Sequence, residues 1–283
     1  MALLTSRRSG VSATESPAPV GPPSTRTRRS PRWRAVLPPV LVLVGVFALW
    51  QLLVSARSIN PAVLPGPRLI VASTWADRAN LWPAVATTTV EAVLGLALAG
   101  VVAFAVALAV DASRTVRASL YPLVIASQTL PIIALAPLVV IWWGFGMVPK
   151  VVLVALFSFF PMAVGLIGGL AAADPDALNL LRTMRASRIQ LLRRVKLPGA
   201  LPQFFTGLKI SVTYAYSAAI VAEFVGAQQG LGVYMTTAKN AAPIRTDLVF
   251  GAVFVTALLT VALFVVVGLI ERLAMPWRAR PGR

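Results

Sequence analysis

The sequence predicts an all-α, polytopic membrane protein with six transmembrane helices and both termini in the cytoplasm. Three observations carry that prediction. Of the 283 residues, 58% are hydrophobic and only 12% charged, which is more apolar surface than one soluble core could bury. The apolar residues gather into six runs, near 35–56, 84–110, 120–143, 147–172, 204–227 and 247–270, each close to the about 20 residues that cross a bilayer core as a helix. The cations are also one-sided. With the N-terminus inside, only Arg57, Arg68, Arg78, Lys150, Lys239 and Arg245 face outward, leaving 20 of the 26 Lys and Arg inside, as the positive-inside rule requires.

Residues 1–34 are rich in Ser, Pro, Thr and Arg and bury too little apolar area to offset chain entropy, so a disordered basic cytoplasmic segment is expected there. Arg7-Arg8 has the look of a twin-arginine export signal, but the apolar run that follows is longer than the roughly 7–15 residues of a signal-peptide core. A retained first span is expected. Residues 35–271 then form the transmembrane domain and 272–283 a cytoplasmic tail. Between the first two spans, Pro61, Pro65 and Pro67 prevent a continuous helix. Leu69, Ile70, Trp75 and Trp82 beyond them suit a helix at the membrane interface, where Trp is favoured.

Composition excludes several functions. The chain has no Cys and no His, which removes disulfides, thiolate metal sites and the commonest general base. Its nine acidic residues are scattered, so no paired-carboxylate site or metal centre is expected. A Gly-x-x-x-x-Gly-Lys-Ser/Thr phosphate loop is missing, so the chain is not expected to hydrolyse ATP alone. The net charge of +17 follows membrane topology, and nucleic acid is not an expected partner.

Ionisable groups inside the spans are functional suspects because lipid burial is costly. Glu91 lies a third of the way into span two and Glu223 near the outer end of span five. Helical steps of about 100° put Thr213, Tyr216, Ser217, Ile220 and Glu223 on one broad face, which suits either the polar wall of a solute pathway or hydrogen bonding between packed helices. Glu223 is also near enough to the interface to be solvated. Gln128 and Thr129, ahead of Pro131, form a second polar spot with the same two readings. Pro131, Pro137 and Pro161 predict kinked helices.

The stretch "LLRTMRASRIQLLRRVKLPGALP" at 180–202 places six cations in 23 residues between two spans. Asp174 and Asp176 precede it, suiting a helix N-terminus. Nothing breaks the helical pattern from Ala177 to about Lys196, after which Pro198 and Pro202 predict a change of direction. Arg182, Arg185, Arg188, Arg193 and Arg194 spread around several faces, with short side chains only at Ala186 and Ser187, where another protein could approach closely.

This segment resembles the cytoplasmic signature of permease subunits of binding-protein-dependent ABC importers: Glu-Ala-Ala, three residues, Gly, nine residues, Ile, one residue, Leu-Pro. With Arg185 at the Gly position, Val195 falls on the Ile and Leu197-Pro198 on the Leu-Pro, and the spacing is kept in full. Asn179-Leu180-Leu181 stands where the family has Glu-Ala-Ala. Arg185 stands where it has a Gly, and Arg does not readily take the positive φ that Gly allows. "LPGPRLIV", "QTLPIIALAPLVVIWWGFG" and "VAEFVGAQQGLGVYM" extend the resemblance from about Leu64 to Trp277.

The resemblance implies a bacterial inner-membrane permease whose coupling residues are Arg182, Met184, Arg185, Ala186, Ser187, Arg188, Leu191, Val195, Leu197 and Pro198. It implies cytoplasmic ATPase subunits that hold ATP and Mg, an extracytoplasmic substrate-binding protein and a second permease copy as partners, within membrane lipid. It is similar to the nitrate, sulfonate and taurine type, with a further likeness to permeases for thiamine pyrimidine precursors, so the expected solute is a small anion or a vitamin-like heterocycle. The alternative is an ion-coupled secondary transporter, for which Glu91 is the candidate carboxylate.

Cysteine labels placed at Val20 and Arg280 are expected to react only from the cytoplasmic side, and one at Lys239 only from outside. Reversed labelling at either end overturns the six-span arrangement.

Overall fold

The computed structural model describes residues 33–56 and 59–279; the expected disordered segment up to residue 32 and the end of the tail lie outside the described residues. The chain divides between Val46 and Phe47 into two units. The first contributes only the beginning of α1 (Trp33–Ala56), where Leu41, Val42, Leu43 and Val44 are exposed. Everything below belongs to the second.

Ten further α-helices follow. They are α2 (Pro67–Ala76), α3 (Arg78–Ala112), α4 (Arg114–Ser127), α5 (Ile132–Trp143), α6 (Met147–Ala171), α7 (Pro175–Thr183), α8 (Arg188–Leu191), α9 (Leu197–Gly226), α10 (Leu231–Asn240) and α11 (Thr246–Ala274). A π-helical stretch, Leu192–Lys196, joins α8 to α9 without interruption. Among the described residues no strand occurs, and four helices are long and apolar enough to cross a membrane: α3, α6, Arg188–Gly226 and α11. Shorter apolar helices run over Val40–Ala56 and Ile133–Trp143.

The run at 120–143, expected as one span, is two helices. The chain leaves helical geometry at Gln128–Pro131, where Pro131 lacks the N–H that an unbroken ladder needs. Local bonds fill the gap. Ser127 Oγ donates to Val124 O (2.7 Å) and Thr129 Oγ1 to Ala126 O (2.8 Å), while Leu130 N reaches back to Ser127 O. Pro122, Pro137 and Pro161 are accommodated inside helices. So are Pro198, in the first turn of α9, and Pro202, and the helix runs on through the point where a change of direction is expected. The π turn just before Pro198 already shifts bonding to i−5, with Leu197 N donating to Leu192 O, so a residue without a donor is absorbed where the ladder is out of step.

The core is the seam between α6 and α9, with α3 packed along it. A side chain at any of three glycines would strike the partner backbone. A Cβ on Gly169 would lie 2.7 Å from Ala200 Cα, one on Gly165 2.6 Å from Gln203 O, and one on Gly207 2.8 Å from Pro161 C. On α3 the facing residues are small as well: Ala92, Ala99, Ala103 and Ala107 are fully buried. Small residues let helices approach in a bilayer, where tails as apolar as Leu supply no hydrophobic drive between them. Buried bonds add direction, since Ser211 Oγ donates to Ser158 O at 2.5 Å across the seam.

At one end α2, α3, α10 and α11 meet. Ile70 is buried, while Trp75 and Trp82 are 71% and 73% exposed, as suits rings seated at a membrane interface. Tyr234 donates to Asp77 Oδ2 (2.6 Å), at the break between α2 and α3. Burial, and then this carboxylate, hold the Tyr234 phenol above its usual value. From α1, Gln51 accepts from Arg68 N at 3.2 Å, and Trp50 packs on Phe250 and Phe254 of α11.

Gly169→Leu is expected to force α6 and α9 apart, costing about 1–3 kcal/mol or more through overpacking and lowering the melting temperature in detergent. Gly199→Ala, where nothing lies within 4 Å of the added carbon, should leave it unchanged or slightly raised. Equal melting temperatures for the two variants would show that the seam does not depend on close backbone approach.

Candidate functional site

The basic segment is not one helix from Ala177 to Lys196. Helix α7 starts on Asp174, whose side chain accepts from Asp176 N, and stops at Met184. Arg185 then takes φ 59°. Arg185 N donates to Arg182 O and Ala186 N to Leu181 O, the paired reversed bonds of a Schellman ending, whose left-handed position is usually Gly. The residue at the signature's Gly position therefore keeps a Gly-like backbone although it is Arg. The two bonds that close the helix hold it there against roughly 1–2 kcal/mol of steric cost.

Ser187 restarts the chain as a capping box: its Oγ accepts from Gln190 N (3.3 Å), and Gln190 Oε1 accepts from Ser187 N (2.7 Å). Such reciprocal caps satisfy two otherwise orphaned donors. The result is a tight turn with Arg182, Met184, Arg185 and Arg188 exposed around it and Ala186 half-buried. Met184 and Ile189 are 70% and 66% exposed, so the tip is apolar within a ring of cations. Leu191, Val195, Leu197 and Pro198 form its half-buried base. That base is tied down by Lys196 on Asp111 of α3 (2.6 Å) and by Leu192 packed against the Leu166, Ile167, Leu170 and Ala200 cluster.

Beside the α6–α9 seam lies a half-open cavity of about 460 Å³. The end of α4 supplies Ser127 and the break after it Gln128, α6 supplies Phe157 and Phe160, and α9 supplies Gln203 and Tyr214. Of the six residues expected along a solute pathway, only Gln128 lines it. Thr129 is turned to its own backbone. Thr213 and Ser217 are exposed away from it, and Tyr216 is buried in the core. The polar face of α9 that does line the cavity is Gln203, Thr206, Gly207, Ile210 and Tyr214, a stripe at i, i+3, i+4, i+7 and i+11. That spacing was available in the sequence, one stripe over from the face built on Glu223.

Glu223 is not solvated: it is 2% exposed. Its carboxylate accepts from Thr88 Oγ1 (2.6 Å) and from Gly232 N (2.5 Å) at the start of α10. Gly230, at φ 132°, carries the chain so close that a Cβ there would collide with that carboxylate. Glu91 is fully buried and paired with Lys150 of α6 at 2.5 Å. The pair lines a second cavity of about 480 Å³ together with Gln228 and Gln229. Lys150 lies at the outward-facing start of the 147–172 run, and only the fold reveals its pairing across 59 residues.

Comparison with known proteins agrees with this architecture. The family model described as "Binding-protein-dependent transport system inner membrane component" matches residues 95–278. A probable ABC transporter permease protein of Haemophilus influenzae is 33% identical over 81% of this chain and 93% of its own length. The formylaminopyrimidine transport permease protein ThiX of Halalkalibacterium halodurans is 34% identical over 86% of this chain and 97% of its own. The riboflavin transport system permease protein RibX of Chloroflexus aurantiacus is 34% identical over 91% and 96%. In fold, the chain is similar to a crystal structure of an amino acid ABC transporter, with a TM-score of 0.57 over 72% of this chain and 97% of that one at 14% identity. The chain belongs to the inner-membrane components of binding-protein-dependent transport systems, as a multi-pass permease of the ABC importer type.

Proposed function

We propose that this chain forms one half of a solute pathway and is driven by separate ATPases docked on the turn at Arg182–Arg188. The observation that carries the reading is the left-handed Arg185, which keeps the backbone of a signature turn although its usual residue has been replaced. The exposed Met184 and Ile189 at the tip suit burial in a partner's groove, and the surrounding arginines suit acidic residues at its rim.

In this reading the spans number six, with α4 and α5 together serving as the third, and both termini lie in the cytoplasm. Two copies stand side by side, and an extracytoplasmic binding protein delivers the solute. ATP and Mg belong to the ATPases, whose closure would pull the two docked turns together. Ion coupling is disfavoured by the pairing of Glu91, its one candidate carboxylate, with Lys150. Relatives named for formylaminopyrimidine, riboflavin and taurine bracket the range of solutes.

Ala186→Glu places a charge at the close contact, where an unpaired buried charge costs about 3–5 kcal/mol by analogy with broken buried pairs. The variant should reach the membrane at normal levels while losing both ATPase copurification and uptake. Arg185→Gly, which relieves the left-handed strain and removes a cation, should keep both. Wild-type association in Ala186→Glu would reduce the segment to a topological anchor.

The purified chain alone is expected to hydrolyse no ATP, and its complex with the ATPase to do so with stimulation by loaded binding protein. Robust hydrolysis by the isolated chain would refute the division of labour.

A further inference from the structure

We infer that the cavity beside the α6–α9 seam receives an uncharged, planar nitrogen heterocycle, and not a sulfonate or another small anion. This rests on the permease reading above and specifies what passes.

Charge comes first. None of the residues lining the cavity is ionisable as Lys, Arg, Asp or Glu. Nor are the nearby helix cations at liberty to serve it: Lys150 is held by Glu91, Lys196 by Asp111 and Lys209 by Glu271. A sulfonate seated here would give up water on the walled side and meet no compensating charge there, an unfavourable exchange for an ion.

What the walls do offer is flat and neutral. Phe157 and Phe160 from α6 and Tyr214 from α9 present ring faces and edges, against which an aromatic solute packs in offset or edge-on geometry. Gln128 and Gln203 bring two carboxamides, each with two donors and an acceptor, and the described residues give neither side chain a hydrogen-bond partner. Ser127 and Thr206 already donate to Val124 O (2.7 Å) and Pro202 O (2.9 Å), so toward the cavity their oxygens act as acceptors. Such a set matches a heterocycle edge that alternates ring nitrogens with amino or carbonyl groups. The cavity's about 460 Å³ lies within the range that encloses small organic ligands.

The interruption at Gln128–Pro131 fits the same occupant. Non-helical backbone at membrane depth is tolerated only where it is buried in protein or lines a polar cavity, and here it adjoins the two carboxamides.

The test uses the complete complex of permease, ATPase and binding protein in nanodiscs, with ligand-detected saturation-transfer NMR. The probes are riboflavin, 4-amino-2-methylpyrimidine, taurine and methanesulfonate. The half-exposed Tyr214 can be truncated without opening the core, so Tyr214→Ala and Gln128→Leu are compared with wild type after each is shown to be monodisperse. At least one heterocycle should bind saturably, with affinity reduced tenfold or more in both variants, while the two sulfonates give no saturable signal. Sulfonate binding without heterocycle binding, no heterocycle signal at all, or heterocycle binding indifferent to both variants overturns the assignment. A complex that retains its ATPase and hydrolyses ATP while failing this test leaves the permease reading standing. One that cannot be assembled with an ATPase overturns the ATPase-docking reading instead, and with it this assignment.

Discussion

The approach of α6 to α9 at backbone distance is the constraint on which the other features rest. Gly165, Gly169 and Gly207 admit no side chain against the opposing helix, and Ser158 and Ser211 bond reciprocally to each other's carbonyls across the same seam. In lipid such contacts have to come from shape and hydrogen bonds, since hydrocarbon competes equally for apolar surface. With that axis set, the Ala-rich face of α3 covers one side. On another side Gly165 and Gly207 themselves border the cavity, and the larger Phe157, Phe160, Gln203 and Tyr214 stand around it. Close contact and open space are products of one pattern of side-chain size.

Buried or half-buried ion pairs hold the periphery to this axis. Lys150 with Glu91 joins α6 to α3; Lys196 with Asp111 joins the π turn to the far end of α3; Lys209 with Glu271 joins α9 to α11. Each connects segments distant in sequence, and each removes a cation from the pool that could meet an anionic solute. Pairing of this kind adds more to register than to net stability, because desolvation offsets much of the attraction. Glu223 works differently, satisfying Thr88 and the start of α10 with a single carboxylate and so fixing the path of the chain through Gly230.

Hydropathy and charge made the long helices legible: α3, α6, α9 and α11 lie where continuous apolar runs of bilayer length put them. The motif spacing likewise set Arg185 on the signature's Gly position, where the chain turns with φ 59°. What escaped has physical reasons. A four-residue break at Gln128–Pro131 is invisible to a window of about 20 residues, and apolarity is the same on either side of it. The Schellman ending at Arg185 was hidden because an Arg occupies a position whose cue is Gly. The partner of Glu91 is 59 residues away, and nothing local in either segment announces it. On α9 a carboxylate marks the face of Glu223 strongly, whereas the face that lines the cavity carries carboxamide, hydroxyl and aromatic groups whose polarity is weaker and whose spacing is equally helical.

The unbroken helical path from Arg188 to Gly226 has a mechanical meaning. At 1.5 Å per residue its 39 residues make a rod about 58 Å long, and hydrogen-bonded helices bend far less readily than loops. Pivoted near its middle at the glycine seam, a tilt of about 10° would swing either tip by about 5 Å. The π turn at Leu192–Lys196 widens the ladder and Pro202 removes a donor from it, so the weakest joints of the rod lie toward its basic end. A push at the basic tip would therefore reach the glycine seam through a helix whose softer turns lie close to where the push is applied.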